Sequence, residues 1–195
     1  MVLDGRQRRR LAITFIAIWR QLRLQRAATG YTQLTDLGRI YRDEPMVRMQ
    51  YEIIKALHEG RDPAAVPPGA ATYVVDFWEQ VATLVRLRQI DREMLFMTLG
   101  MGAVPLWTLL RPFMDRIRSD RSEPKLGEQF EWLAGVMADR ARRAGYVEVD
   151  ADHILPNIGA YYENLSDRLR SAEELRRPIR PRVNRRASDT ARSGP

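Results

Sequence analysis

The sequence predicts an all-α protein, a helical bundle of five to seven helices around a central hairpin at residues 72–118. The first observation is that apolar residues recur at steps of three or four along most of the chain, which is the spacing of one helix face. The second is that the alternating stretch at residues 146–150 is short and has no partner strand, so it predicts an extended loop. The third is an apolar content of 45%, which is enough for a single core.

Positive charge is concentrated at the two ends of the chain. The net charge is +7, and residues 4–26 and 176–195 each hold seven Arg against one Asp, whereas the stretch between them is net acidic. Basic arms of this kind bind the phosphates of lipids or nucleic acids, or an acidic protein partner.

Residues 1–28 predict a basic amphipathic helix. Their apolar run at 11–19 is shorter than the roughly 20 residues of a membrane span, and no small-residue cleavage site of a signal peptide follows it. Apolar residues then continue at helical spacing, while Arg occupies the other side. Such a helix lies in a membrane interface, packs on its own domain, or binds nucleic acid or a partner helix. The side chains expected in the membrane interface are Phe15, Ile18, Trp19 and Leu22.

Both arms supply Arg side chains that are expected to bind an anionic surface. Residues 177–195 have no apolar periodicity and contain three Pro, so they predict a disordered basic tail. The expected contacts are Arg8, Arg9, Arg10, Arg20, Arg23 and Arg26 in the first arm, and Arg180, Arg182, Arg185 and Arg186 in the second.

The helical domain is predicted to extend over residues 29–176. Gly30 is expected to interrupt or bend the first helix, and Gly38 costs about 1 kcal/mol relative to Ala inside a helix. Pro45, which follows two acidic residues, predicts the start of the next helix. Residues 61–70 contain three Pro and one Gly, so they predict an exposed loop.

The central hairpin begins with apolar residues that share one helix face between positions 74 and 85. Asp91 is placed to cap a second helix, in which Pro105 predicts a break or kink near residues 100–102. The stretch 94–110 contains no Asp, Glu, Lys or Arg, as a membrane span would. Its Gly, Thr and Pro residues and its helical neighbours favour a buried core helix instead.

Two more helices complete the predicted bundle. One covers the apolar residues between positions 130 and 141, and Gly145 follows its basic last turn. The other begins at Pro156, and its apolar seam is only about two heptads long, which favours packing on the domain over dimerisation. The seam residues are Ile158, Tyr162, Leu165, Leu169 and Ala172.

No pattern in the sequence indicates catalysis. The chain has no Cys and two His, which excludes a thiolate nucleophile and a His-rich metal site within one chain. Glu79, beside Phe77 and Trp78, is the best candidate for a buried acid, although an ion pair with an Arg of a neighbouring helix is the simpler interpretation. The sequence therefore predicts no catalytic residue, no metal ligand and no cofactor.

Three segments resemble, in their order, an uncharacterised bacterial family that is described only as a domain of unknown function. They are RDEPMVRMQYEI at residues 42–53, FWEQVATLVRLRQIDREM at 77–94, and Trp107 with Arg111-Pro112; the resemblance covers residues 11–118. It implies a membrane-anchoring N-terminal helix and an all-helical cytosolic domain. The apolar run at 11–19 is shorter than that anchor, so either the anchor is lost or the native start lies upstream. The family brings no known activity.

These observations favour a non-enzymatic interaction module that lies peripherally on the cytoplasmic face of a membrane, held to anionic lipid by the basic arms. The alternative is a nucleic-acid-binding protein that uses the same arms, although a compact trihelical pattern with a basic recognition helix is not evident. An enzyme with a buried carboxylate is the third interpretation. The sequence leaves open an unidentified protein partner and the oligomeric state.

Overall fold

The computed structural model describes the backbone of residues 5–146 and 151–176, and the side chains of these except 5–18, 22–24, 26–27 and 151–152. Within those ranges the chain forms eight α-helices and no strand, which confirms the all-α prediction. The predicted basic tail at 177–195 and most of the extended loop at 146–150 lie outside them. The helices are α1 Gly5–Arg42, α2 Glu44–His58, α3 Pro68–Arg86, α4 Arg92–Thr98, α5 Ala103–Arg121, α6 Glu128–Arg143, α7 Ala151–Ile154 and α8 Ile158–Arg176.

The core is centred on aromatic side chains of α3, α5 and α6. Trp78 of α3 is fully buried and stacks on Phe130 of α6, with 5.7 Å between the ring centroids. Trp107 of α5 meets the same Phe130 ring edge-on at 5.2 Å. Contacts of these geometries add about 0.5–1.5 kcal/mol each to the free energy gained by burial. The apolar face of α3 predicted from the spacing is therefore the centre of the fold.

The second half of the central hairpin consists of two helices rather than one. Asp91 caps α4 by accepting hydrogen bonds from the backbone N–H groups of Glu93 and Met94, as predicted. A 3-10 turn at Gly100–Gly102 then separates α4 from α5, and the chain direction changes by 72°. Pro105 lies in the first turn of α5, where a missing N–H breaks no helical hydrogen bond. The predicted break is thus confirmed.

None of the helices that the structure describes has by itself the length and apolar character of a membrane span. The bent pair of α4 with Gly100–Arg121 meets those criteria jointly. Most of its apolar side chains pack in the core of this fold. Leu95, Leu99, Leu106 and Leu110 are all buried, as predicted for a core segment.

Helix α1 continues through Gly30 without interruption, so the expectation of a break there is wrong. Its 38 residues also cross positions 28 and 29, the predicted border between the N-terminal helix and the domain. A Cβ atom at Gly30 would lie 2.6 Å from the backbone oxygen of Gln89, in the turn between α3 and α4. Glycine at this position therefore allows two backbones to meet closely, and that contact explains its presence inside a helix.

The stretch 61–70 is only partly the exposed loop that its three prolines predict. Pro63–Ala65 form a 3-10 turn, and residues 68–70 already belong to α3, where Pro68 occupies the first position. Val66 is fully buried in the core. Burial of one apolar side chain, which stabilises a fold by about 1.5–3 kcal/mol, ties the middle of this connection to the bundle.

Helix α8 packs on α2, as its apolar seam predicts. Ile158 and Leu165 are buried, and Tyr162 is partly buried against the core. The hydroxyl oxygens of Tyr162 and Tyr51 lie 3.1 Å apart, and the Tyr162 ring also stacks on His58 at 4.9 Å. These contacts fix the α8 face that lines the cavity described below.

Candidate functional site

The first candidate surface is the N-terminal part of α1, which contains the lipid contacts predicted for the first arm. Trp19 is 51% exposed and Arg20 is also exposed. The other predicted contacts in this arm belong to the α1 backbone, and nothing is described of their side chains: Arg8, Arg9, Arg10, Phe15, Ile18, Leu22, Arg23 and Arg26. Arg180, Arg182, Arg185 and Arg186 lie outside the described residues.

Among the α1 residues whose side chains are described, the buried ones begin at Gly30. Gly30, Leu34 and Leu37 are buried. Between positions 19 and 29, every residue whose side chain is described is exposed: Trp19, Arg20, Gln21, Gln25, Ala28 and Thr29. We call residues 5–29 the arm and the rest of the described chain the body. The described side chains of the arm are thus accessible to solvent.

The second candidate is a cavity of about 340 Å³ in the body, within the size range of small-molecule sites. It lies between the C-terminal end of α1, α2, the first turns of α5, and α8. Its apolar walls include Ile54 of α2, Leu106 and Leu109 of α5, and Leu165 of α8. Because these side chains are buried while Tyr161 and Met101 are exposed, the cavity has an apolar interior and an opening to solvent.

A polar cluster borders this apolar wall. Gln50 is only 5% exposed, and its Nε2 atom has no hydrogen-bond partner of normal geometry among the described residues. Burial raises the pKa of the Tyr41 hydroxyl, while the positive charge of Arg168 and the neighbouring Gln50 amide act in the opposite direction. Three different donors therefore surround one side of the cavity: an amide, a phenol and a guanidinium.

The opening of the cavity is positively charged. An adjoining cleft of about 450 Å³ shares Tyr41, Met101, Gly102 and Arg168 with the cavity and adds Arg42. Within the part of the chain that the structure describes, neither Arg42 nor Arg168 forms an ion pair, and no Asp or Glu lines either space. Two cations without a carboxylate partner favour an anionic group at this position.

Gly102 leaves the space that the Tyr41 phenol occupies at this site. A Cβ atom on Gly102 would lie 2.5 Å from the Tyr41 hydroxyl oxygen and 3.6 Å from a ring carbon of Trp78. The Tyr41 ring also packs edge-on against Trp78, with centroids 5.6 Å apart. The glycine of the 3-10 turn thus makes the room in which Tyr41 faces the cavity.

Glu79, the candidate for a buried acid, and two acidic residues near it in sequence have structural partners. Glu79 accepts a hydrogen bond from the backbone N–H of Phe130, so the expected ion pair with an Arg is replaced by a helix-capping contact. Glu93 pairs with Arg140 across α4 and α6, and Asp91 caps α4. Among the described residues, no three His, Asp or Glu side chains are grouped as metal ligands.

The sequence interpretation missed Tyr41, Gln50 and Arg168 as site residues. Gln50 was the detectable one, because a polar residue occupies a position of the α2 apolar face, between Met46 and Ile53. Arg168 has no local signal that distinguishes it from other surface Arg residues.

Comparison with known proteins gives one match. A family model with the description "Domain of unknown function (DUF4760)" matches residues 3–137. No curated protein and no solved structure matches the chain. The match covers the arm and helices α2 to α5 with most of α6, and stops before α8.

Proposed function

The chain belongs to the DUF4760 family, a domain of unknown function, and we propose that it is a non-enzymatic interaction module held on the cytoplasmic face of a membrane by its basic arms. In this proposal, the arm lies in the interface of an anionic bilayer and the body remains in the aqueous phase. The Arg-rich C-terminal residues provide a second attachment to the same anionic surface.

The observation that carries the proposal is that the described side chains between positions 19 and 29 are exposed, although they continue the helix that is buried against the body from Gly30 onward. Trp19 is half exposed and Arg20 is exposed, on a segment whose sequence repeats apolar residues at helical spacing. The interface of a bilayer is a surface that an exposed amphipathic helix of this kind binds. A Trp on such a helix favours the membrane interface, because its indole combines an apolar ring with one N–H donor.

The positive charges of the arm and of residues 176–195 favour an anionic surface as the binding partner. Each Lys or Arg near an anionic bilayer contributes about 1 kcal/mol, and residues 4–26 alone hold seven Arg. The sum of such contributions is sensitive to salt, since it acts over about 10 Å at 0.1 M ionic strength. The same charges suit nucleic acid, which is the alternative partner.

Vesicle flotation with the full chain tests the proposal. We expect flotation with vesicles that contain phosphatidylserine and none with neutral phosphatidylcholine vesicles. The triple variant Arg20→Gln, Arg23→Gln, Arg26→Gln should reduce flotation by about tenfold or more, since it removes three charges from the arm. A matched control carries Arg88→Gln, Arg121→Gln and Arg143→Gln, which removes the same charge from exposed positions of the body.

The comparison of these two triple variants decides the outcome. If both float as well as the native chain, or if both lose flotation equally, the arm is not the attachment and the proposal fails. Salt-sensitive retention of duplex DNA, together with no flotation on anionic vesicles, would establish the alternative partner instead.

A further inference from the structure

We propose that the cavity bounded by Tyr41, Gln50 and Arg168 is a binding site for a single-headed amphipathic anion such as a fatty acid. Its carboxylate or phosphate head would accept hydrogen bonds from these three side chains. Its hydrocarbon chain would lie against Leu106, Leu109 and Leu165. This site is in the body and is independent of the arm, so it goes beyond membrane attachment.

The buried amide is the strongest indication of a ligand. Gln50 is 95% removed from solvent, yet its Nε2 atom lacks a partner of normal geometry within the described structure. A buried donor without a partner costs roughly 1–3 kcal/mol, so such groups in folded proteins are normally satisfied by protein, water or ligand. The Tyr41 hydroxyl lies near enough to this amide to interact with it, but not in the geometry of a normal hydrogen bond. Because the amide borders a cavity with an opening, a bound acceptor oxygen can supply a hydrogen bond of normal geometry.

The charges at the opening select an anion over a cation or a neutral group. Arg168 lines both the cavity and the adjoining cleft, and Arg42 lines the cleft. No acidic side chain borders either space, so a cationic head would find no partner. A carboxylate or phosphate would instead receive charge-assisted hydrogen bonds from guanidinium groups.

The walls select a hydrocarbon chain rather than a free inorganic ion. Ile54, Leu106, Leu109 and Leu165 are between 3% and 7% exposed and face the cavity volume of about 340 Å³. A small polar anion would leave that volume without apolar contact. An acyl chain would instead contact these apolar side chains, and each CH₂ group that it buries contributes about 0.8 kcal/mol.

Calorimetric titration of the full chain at low salt tests the site with four probes. Decanoate and decyl phosphate share the chain and differ in the head, decanol lacks the charge, and acetate lacks the chain. We expect decanoate or decyl phosphate to bind with one molecule per chain, and decanol and acetate to bind far more weakly. The stronger of the two anions identifies whether a carboxylate or a phosphate head is preferred.

Variants at the polar cluster provide the decisive comparison. Arg168→Gln should weaken binding of the preferred anion by about fivefold, as expected for an exposed charge that solvent screens. The control Arg170→Gln changes an exposed Arg of the same helix that lines a different cleft, with Arg48 and Glu173. This control, and the triple arm variant described above, should bind as the native chain does.

Gln50→Met separates a ligand-binding role from a structural one. Removing an amide without a partner should leave the melting temperature unchanged or raise it, while affinity for the anion falls by about fivefold. The proposal is overturned if neither anion binds, if decanol binds as tightly as decanoate, or if Arg168→Gln and Gln50→Met bind like the native chain. A large loss of stability in Gln50→Met would show that the amide serves the fold alone.

Discussion

Glu79 of α3 reaches the first turn of α6, where its Oε1 atom accepts a hydrogen bond from the backbone N–H of Phe130 at 2.6 Å. The N-cap residue of α6 is Gly127, which has no side chain to cap the helix. Glu79 thus provides from a distant part of the chain the acceptor that a Ser or Asp would provide locally. Its negative charge also suits the positive end of the helix dipole.

Replacement of Glu79 should therefore destabilise the fold. We expect Glu79→Ala to lower the free energy of unfolding by about 1–2 kcal/mol, the usual cost of a lost N-cap. Urea unfolding followed by circular dichroism measures this change. The neighbouring exposed residue supplies the control, since Gln80→Ala should change stability by less than about 0.5 kcal/mol. Equal stability of the two variants would show that the contact contributes nothing.

Two glycines of α1 should respond to alanine in opposite directions. At Gly30 an added Cβ would meet the Gln89 carbonyl oxygen at 2.6 Å, and a backbone atom cannot easily move away. At Gly38 the nearest atom is a terminal nitrogen of Arg42 at 3.5 Å, which is ordinary contact. Gly38→Ala should stabilise by up to about 1 kcal/mol through helix propensity. Gly30→Ala should destabilise despite the same gain.

Thermal unfolding of these two variants beside the native chain measures the difference. A third variant, Gly135→Ala in α6, reports the propensity gain alone, because nothing lies within 4 Å of the added atom. If Gly30→Ala were as stable as Gly38→Ala, the close contact between α1 and the turn before α4 would not exist in solution.

The ion pair between Glu93 and Arg140 should make stability depend on pH. Hydrogen bonds from the Arg140 guanidinium lower the pKa of the Glu93 carboxyl below its ordinary value. A carboxyl with a lowered folded-state pKa stabilises the fold above its unfolded-state pKa, and this contribution is lost as pH falls through the folded-state value. Glu93→Gln should therefore melt below the native chain at neutral pH, and the two melting temperatures should converge in acid.

A series of melting curves from neutral pH to about pH 3 measures that convergence. Glu123→Gln serves as the control, because this exposed acid has no side-chain partner among the described residues. A difference between Glu93→Gln and the native chain that stays constant across the series would exclude the proposed linkage.

Arg118 connects the end of α5 with the start of α6. Its Nε donates to the carbonyl oxygen of Leu126 and one terminal nitrogen donates to Glu131, both at 2.8 Å, and the side chain is only 16% exposed. Arg118→Lys keeps the charge, but a single ammonium nitrogen cannot reach both acceptors as the planar guanidinium does. We therefore expect the free energy of unfolding to fall by about 1–2 kcal/mol. Urea unfolding compares it with Arg121→Lys, an exposed Arg at the end of the same helix, which should be neutral.

The helices could be predicted from sequence because their signals are local. The apolar spacing around Trp78, the Asp91 cap and the break before Pro105 all depend on residues within one or two turns. Gly30 could not be interpreted correctly, since its reason is a carbonyl oxygen far along the chain at Gln89. Propensity alone treats such a glycine as a weak point, whereas the packed structure uses it for a close approach.

The cavity was hidden from the sequence for a related reason. Its polar groups come from α1, α2 and α8, and Arg168 lies more than a hundred residues after Tyr41. Only Gln50 carried a local sign, as a polar residue on an apolar face. A helix at the arm was predicted because its signal is local, whereas the surface that its Arg and apolar side chains bind stays a prediction.

Helix α1 runs unbroken from the arm to the border of the cavity at Tyr41. At 1.5 Å per residue, the helix places Tyr41 about 33 Å along its axis from Trp19. The proposed membrane contact and the proposed anion site therefore share one helix and lie at opposite ends of its described course.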